Sequence, residues 1–177
     1  IKGGNNLKIG VLTVSDRCAR GEMEDKNILA IKEIFSNTGD VVAYEVVPDE
    51  KDMISKKIIQ FCDELKVDLV LTAGGTGFAP RDVTPEATKD VIEKEVPGIP
   101  EIMRTATFFS KTKNSVLSRA IAGIRGKTLV INLPGNPNGV RENLEVVMEI
   151  LPLGISLLDG NQHVHTRISG DDLSEKS

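Results

Sequence analysis

Positions 69–87 read LVLTAGGTGFAPRDVTPEA, an apolar run that meets a glycine loop and then a helix start. Leu69 to Thr72 are apolar or β-branched, as in a strand buried on both faces. Gly74, Gly75 and Gly77 end that strand at once. Glycines here let backbone amides approach a ligand closely and take positive φ, which suits phosphate oxygens. Thr76 adds a hydroxyl. Thr84-Pro85-Glu86 then opens a helix with Pro in its first turn, where free amides and the dipole favour an anion. Between loop and helix, Arg81 is suited to clamp phosphate oxygens and Asp82 to hold a magnesium ion bridging them. A plain structural turn is the simpler reading of the glycines alone. Neither G-x-G-x-x-G nor the P-loop pattern is present.

Working outward, three further strands are expected, at Leu7–Val14, Val41–Val47 and Thr128–Asn132, with the central one at Asp68–Thr72. All four look nearly continuously apolar, hence buried on both faces. Helical faces separate them: Ile28, Ile31 and Phe35; then Ile54, Ile58, Phe61 and Leu65; and, beyond the last strand, Val140, Leu144, Val147, Met148 and Leu151. Asn136-Pro137 starts the last of these. The alternation predicts an α/β fold, one doubly wound and mostly parallel sheet flanked by helices. From Thr84 to Ile124, Pro97, Gly98, Pro100 and Gly123 predict several short helices. No repeat or linker divides the chain, so one domain is expected over 7–160, with tails at 1–6 and 161–177.

In an open parallel sheet, strand ends converge on the crevice where ligands bind. Thr13-Val14-Ser15-Asp16-Arg17 ends the first strand with two hydroxyls and a charged pair, or else caps a helix. Pro48-Asp49-Glu50 ends the second, where a carboxylate binds metal or caps the next helix. Asn132-Leu133-Pro134-Gly135-Asn136-Pro137 ends the fourth in a rigid turn. Ser118 and Arg119 either reach an anionic ligand or cap a short helix. His163 and His165 sit in the expected tail and pair with no nucleophile.

Composition narrows the partners. In 177 residues, enough to bury roughly 70% of the unfolded surface, 40% are apolar and 27% charged, a globular mixture. With no Trp, one Tyr and a net charge of −4, there is neither a stacking platform nor a basic stripe for nucleic acid. Cys18 and Cys62 form no C-x-x-C pair or zinc spacing and read as ordinary small residues. No apolar run approaches a membrane helix or a signal core, so a cytoplasmic address is expected.

These strand ends resemble the molybdenum cofactor biosynthesis family, namely the molybdopterin adenylyltransferases and the G domain of gephyrin and plant molybdenum cofactor enzymes. The resemblance runs from Lys8 to Leu158 through TVSDR (13–17), PDE (48–50), TAGGTG (72–77), RDVTPEA (81–87), LSR (117–119) and GIRGKTLVINLPGNPN (123–138). It implies an enzyme that adenylates molybdopterin with ATP and magnesium, releases pyrophosphate, forms a homotrimer and hands its product to a molybdate-insertion enzyme. It implies catalytic, metal-holding roles for Asp49 and Asp82. Ligand contacts are implied at Thr13, Ser15, Asp16, Gly74, Gly75, Thr76, Gly77, Arg81, Ser118, Asn132, Pro134 and Gly135. One departure stands at Asp25-Lys26-Asn27-Ile28, where relatives carry Ser or Gly in place of Asn27. Two alternatives go with the resemblance: a molybdopterin carrier or scaffold on the same fold, or the central domain of a molybdate-insertion enzyme. The chain's length is expected to favour the free-standing enzyme over the latter.

Overall fold

The computed structural model describes residues 6–161. Its strands are β1 (Leu7–Val14), β2 (Gly39–Val47), β3 (Leu69–Ala73), β4 (Lys94–Glu95), β5 (Ala122–Arg125) and β6 (Thr128–Leu133). Its α-helices are α1 (Asp16–Ala19), α2 (Asn27–Ile34), α3 (Lys51–Ile59), α4 (Thr84–Lys89), α5 (Gly98–Ser110), α6 (Pro137–Val147) and α7 (Leu151–Leu158). One six-stranded sheet has the order β2-β1-β3-β6-β5-β4. The first four strands are parallel; β5 and β4 are antiparallel additions at one edge. The doubly wound, mostly parallel fold read from the sequence is therefore present.

Burial follows position in the sheet. β3 and β6 are buried at every residue, and β1 from Ile9 onward. One face packs against α2, α6 and α7 through Ile31, Phe35, Val140 and Leu144; the other meets α3 and α4 through Ile54, Ile58, Phe61 and Ala87. These layers bring the ends of β1, β2, β3 and β6 to one rim.

Four local expectations change. β2 is an edge strand, not a core one, so its side chains alternate in burial and Val42 remains 55% exposed. Leu65 is turned outward because Gln60–Glu64 winds more widely than an α-helix, with Leu65 N–H donating to Gln60 O five residues back. That wider turn keeps Phe61 and Cys62 buried and rotates Leu65 off their face. Pro97 and Pro100 do not fragment the helix after them. Pro97 caps α5 and Pro100 lies in its first turn, where no amide is needed, so 13 residues run unbroken. Finally, the segment expected to be only short helices also supplies β4 and β5, too short to show a period of two.

Candidate active site at the strand-end rim

The glycine loop after β3 is set by contacts that exclude side chains. Gly74 has φ +110° and Gly75 φ +68°. A Cβ on Gly74 would stand 2.2 Å from Val14 O, and one on Gly75 2.3 Å from Thr84 Oγ1. Thr84 closes the loop, its N–H donating to Gly75 O (3.1 Å) and its hydroxyl to Gly74 O (2.8 Å). On the β6 side, Gly74 N–H donates to Leu133 O, and Gly135 packs so near Gly74 that its Cβ would lie 3.1 Å from Gly74 Cα. Asn136 caps α6, accepting from Gly139 N–H at 2.7 Å, with Pro137 in the first turn as the sequence suggests.

Two cavities flank this pair of loops and share Asn136. The first, about 450 Å³, is lined by Thr13, Ser15, Asp49, Gly74, Gly75, Asp82 and Gly135, with Asp25 and Asn27 on its far wall. The second, about 520 Å³, is lined by Thr76, Gly77, Phe78, Ser118, Pro134 and Glu142, among others. Of the sequence-derived site residues, all but Asp16, Arg81 and Asn132 thus fall on one or the other cavity.

Carboxylates dominate the first cavity. Asp49 Oδ2 accepts from Asp16 N–H (2.9 Å) and Asp16 Oδ1 accepts from Asp49 N–H (3.0 Å). Asp49 Oδ1 lies beside Gly75, 3.1 Å from where a Cβ would be, and accepts no hydrogen bond among the described residues. Asp82 Oδ2 accepts from Ala79 N–H at 3.0 Å, leaving Oδ1 without a donor among the described residues. Burial pushes the Asp49 carboxyl above its ordinary range, and the nearby negative charges of Asp16 and Asp82 add to that. Asp16 moves the opposite way, down to about 2, because Arg81 donates to it and Asp49 N–H adds a further bond.

Arg81, read as a phosphate clamp, has its fork on protein carboxylates: Nε to Asp16 Oδ2 (2.6 Å), and Nη2 to Asp16 Oδ1 (3.0 Å) and Glu50 Oε1 (2.9 Å). Neither Arg81 nor Asp16 lines either cavity. Asn132 is wholly buried beneath the rim, its amide donating to Thr72 and Thr88 hydroxyls at 2.9 Å each. Thr13 donates to Asp25 Oδ2 (2.7 Å), so its oxygen is left to accept; Tyr44 shares the same carboxylate oxygen (2.5 Å). Ser15 caps α1. His163 and His165 lie outside the described residues.

The sequence carries no signal for Asp25, Phe78 or Glu142 on the cavity walls. The carboxylate of Asp25 is brought in by the connection between α1 and α2, which carries no periodic signal. Asn27, the departure from the family pattern, lines the first cavity, and its buried Oδ1 has no hydrogen-bond partner among the described residues.

Among the described residues no three or more acidic, His or Cys side chains are grouped so that they could together hold a metal ion. A pair of carboxylates with free oxygens still fits magnesium, which binds through one or two carboxylates and keeps its other positions for water and phosphate. Residues 10–153 match the family described as a probable molybdopterin binding domain.

The chain belongs to the molybdenum cofactor biosynthesis family. Within that family it is 48% identical over 158 residues to a molybdopterin adenylyltransferase of Helicobacter pylori J99, covering 88% of this chain and 89% of the relative. It is 43% identical over 162 residues to gephyrin of Dictyostelium discoideum, covering 85% of this chain but 22% of that longer protein. Its fold superposes on the molybdopterin biosynthesis enzyme MoaB of Thermus thermophilus with a TM-score of 0.83, at 50% identity, over 87% of this chain and 97% of that one.

Proposed function

We propose that residues 7–160 form a molybdopterin adenylyltransferase that converts ATP and molybdopterin into adenylylated molybdopterin and pyrophosphate. One observation carries the reading: Asp49 and Asp82 line one cavity beside the glycine loop, and each keeps a carboxylate oxygen without a donor among the described residues. Adenylyltransferase relatives similar over most of the chain support it.

The cavities divide the substrates by chemistry. The carboxylate cavity takes the phosphates of ATP, and the second takes the pterin, whose flat ring suits Phe78 and whose N–H edge suits the carboxylate of Glu142. An oxygen of the terminal phosphate of molybdopterin attacks the α-phosphorus of ATP, the bond to the β-phosphate bridging oxygen breaks, and pyrophosphate leaves. The loop orients the two phosphates in line, which provides most of what such a transfer requires. Asp49 and Asp82 would hold magnesium, whose charge would offset that developing on the reacting phosphates. Thr13 and Ser15 line the phosphate side, and Thr76 and Ser118 the pterin side.

A carrier on the same fold would have no need of two free carboxylates beside the loop. Incubation with ATP labelled at the α-phosphate separates the readings: transfer of label to molybdopterin supports the enzyme, and binding without transfer supports the carrier. The family resemblance also supports a homotrimer, to be checked by light scattering, and hand-off of the product to a molybdate-insertion enzyme. A cytoplasmic site of action goes with this reading; separately, among the described residues no helix is long and apolar enough to cross a membrane.

A further inference from the structure

Thr76 to Asp82 projects from the sheet rim with few attachments. Inside it, Ala79 N–H donates to Asp82 Oδ2 and Asp82 N–H to Ala79 O. Among the described residues, the hydrogen bonds from this backbone to the rest of the protein all run to Arg119. Its N–H donates to Thr76 O (2.8 Å), its Nε to Gly77 O (2.8 Å) and its Nη2 to Asp82 O (2.8 Å). Its remaining arm, Nη1, donates to Glu86 on α4.

The anchor is itself fixed. Arg104 on α5 donates to Ala120 O (2.8 Å), and Ile121 exchanges backbone and side-chain bonds with Asn132 of β6. Arg119 therefore reaches from a braced segment across both ends of the loop. A guanidinium suits this task because its planar fork addresses separate carbonyls at once, whereas the single ammonium of lysine does not. Nε, Nη1 and Nη2 each donate to a protein acceptor, so Arg119 ties the loop and α4 together rather than capping a short helix.

We infer that Arg119 is a positioning residue for the transfer reaction, holding the Gly77–Asp82 loop so that the Asp82 carboxylate stands opposite Asp49. The role in turnover rests on the adenylyltransferase reading; the hold on the loop does not. Hydrogen exchange by mass spectrometry, steady-state kinetics and guanidinium rescue on Arg119→Ala and Arg119→Lys test the two parts separately.

Loss of one charge-assisted bond corresponds to about tenfold in local opening, so the hydrogen-bonded amides of Ala79 and Asp82 exchange at least that much faster in both variants while β3 and β6 do not. Turnover falls roughly a hundredfold, the magnesium needed for half-maximal rate rises, and added guanidinium restores part of the rate in Arg119→Ala. Unchanged exchange at Ala79 and Asp82 overturns the inference. So does faster exchange with turnover and magnesium dependence untouched. Should Arg119→Ala fail to fold, Arg119→Lys decides by the same readouts. A wild-type protein without pyrophosphate release would refute the adenylyltransferase reading, and the positioning role with it, while exchange would still report whether Arg119 holds the loop.

Discussion

Asp16 and Asp49 cap each other: each backbone N–H donates to the other's carboxylate, at 2.9 and 3.0 Å. The ends of β1 and β2 are thereby locked in register at the rim, and Asp49 is left with one oxygen for a ligand. Arg81 on Asp16 balances the charge from outside. Asp16 and Arg81 thus work as supports for Asp49 in this structure.

Replacing either free carboxylate should silence the reaction without unfolding the protein. In Asp49→Asn and Asp82→Asn an amide oxygen remains to accept from Asp16 N–H or Ala79 N–H, but the charge is gone. Turnover is expected to fall on the order of a hundredfold or more, with an unchanged circular dichroism spectrum.

The two aspartates titrate in opposite directions, which separates stability from magnesium binding in acid. Asp16, lowered to about 2, contributes stability that is present above its unfolded pKa near 3.8 and lost as pH falls through about 2. Arg81→Ala removes the main cause, so the acid unfolding midpoint moves up. Asp49, raised by burial, takes up its proton above the ordinary carboxylate range. Protons therefore compete with magnesium for Asp49, and the acid limb of magnesium affinity is expected at higher pH than acid unfolding. Coincident limbs would contradict this.

Gly74→Ala should destabilise the fold by about 1–3 kcal/mol, because φ +110° is strained for an L-residue and the new methyl meets Val14 O. A calorimetric melt measures the loss. A melting temperature equal to that of the parent would show that the loop relaxes freely.

Asn132→Leu distinguishes support from contact. Its amide joins Thr72 and Thr88 and accepts from Ile121 N–H, so its loss leaves buried groups unpaired and costs about 1–3 kcal/mol. Stability is expected to drop while KM for ATP and molybdopterin stays put. Glu142→Ala is expected to do the reverse, raising KM for molybdopterin with little change in melting temperature.

Much of this site was legible because the central strand, its glycines and Thr84-Pro85 are contiguous. Local steric demands of that kind are written into residue type. The β6 turn was legible for the same reason, through Pro134, Gly135 and Pro137. What escaped was pairing across the chain. Nothing near Arg81 shows that Asp16, 65 residues earlier, takes its fork, and nothing near Arg119 shows that it spans Gly77 and Asp82. Leu65 was misplaced because a single wide turn shifts a helical face, and β2 because a run of valines does not reveal an edge.

The most direct measurement is pyrophosphate release from ATP by the purified protein with magnesium, with and without molybdopterin, beside Asp82→Asn. Release that requires molybdopterin, stops when magnesium is chelated and disappears in Asp82→Asn is the predicted result. Tight molybdopterin binding without pyrophosphate, or equal release by Asp82→Asn, would contradict the account.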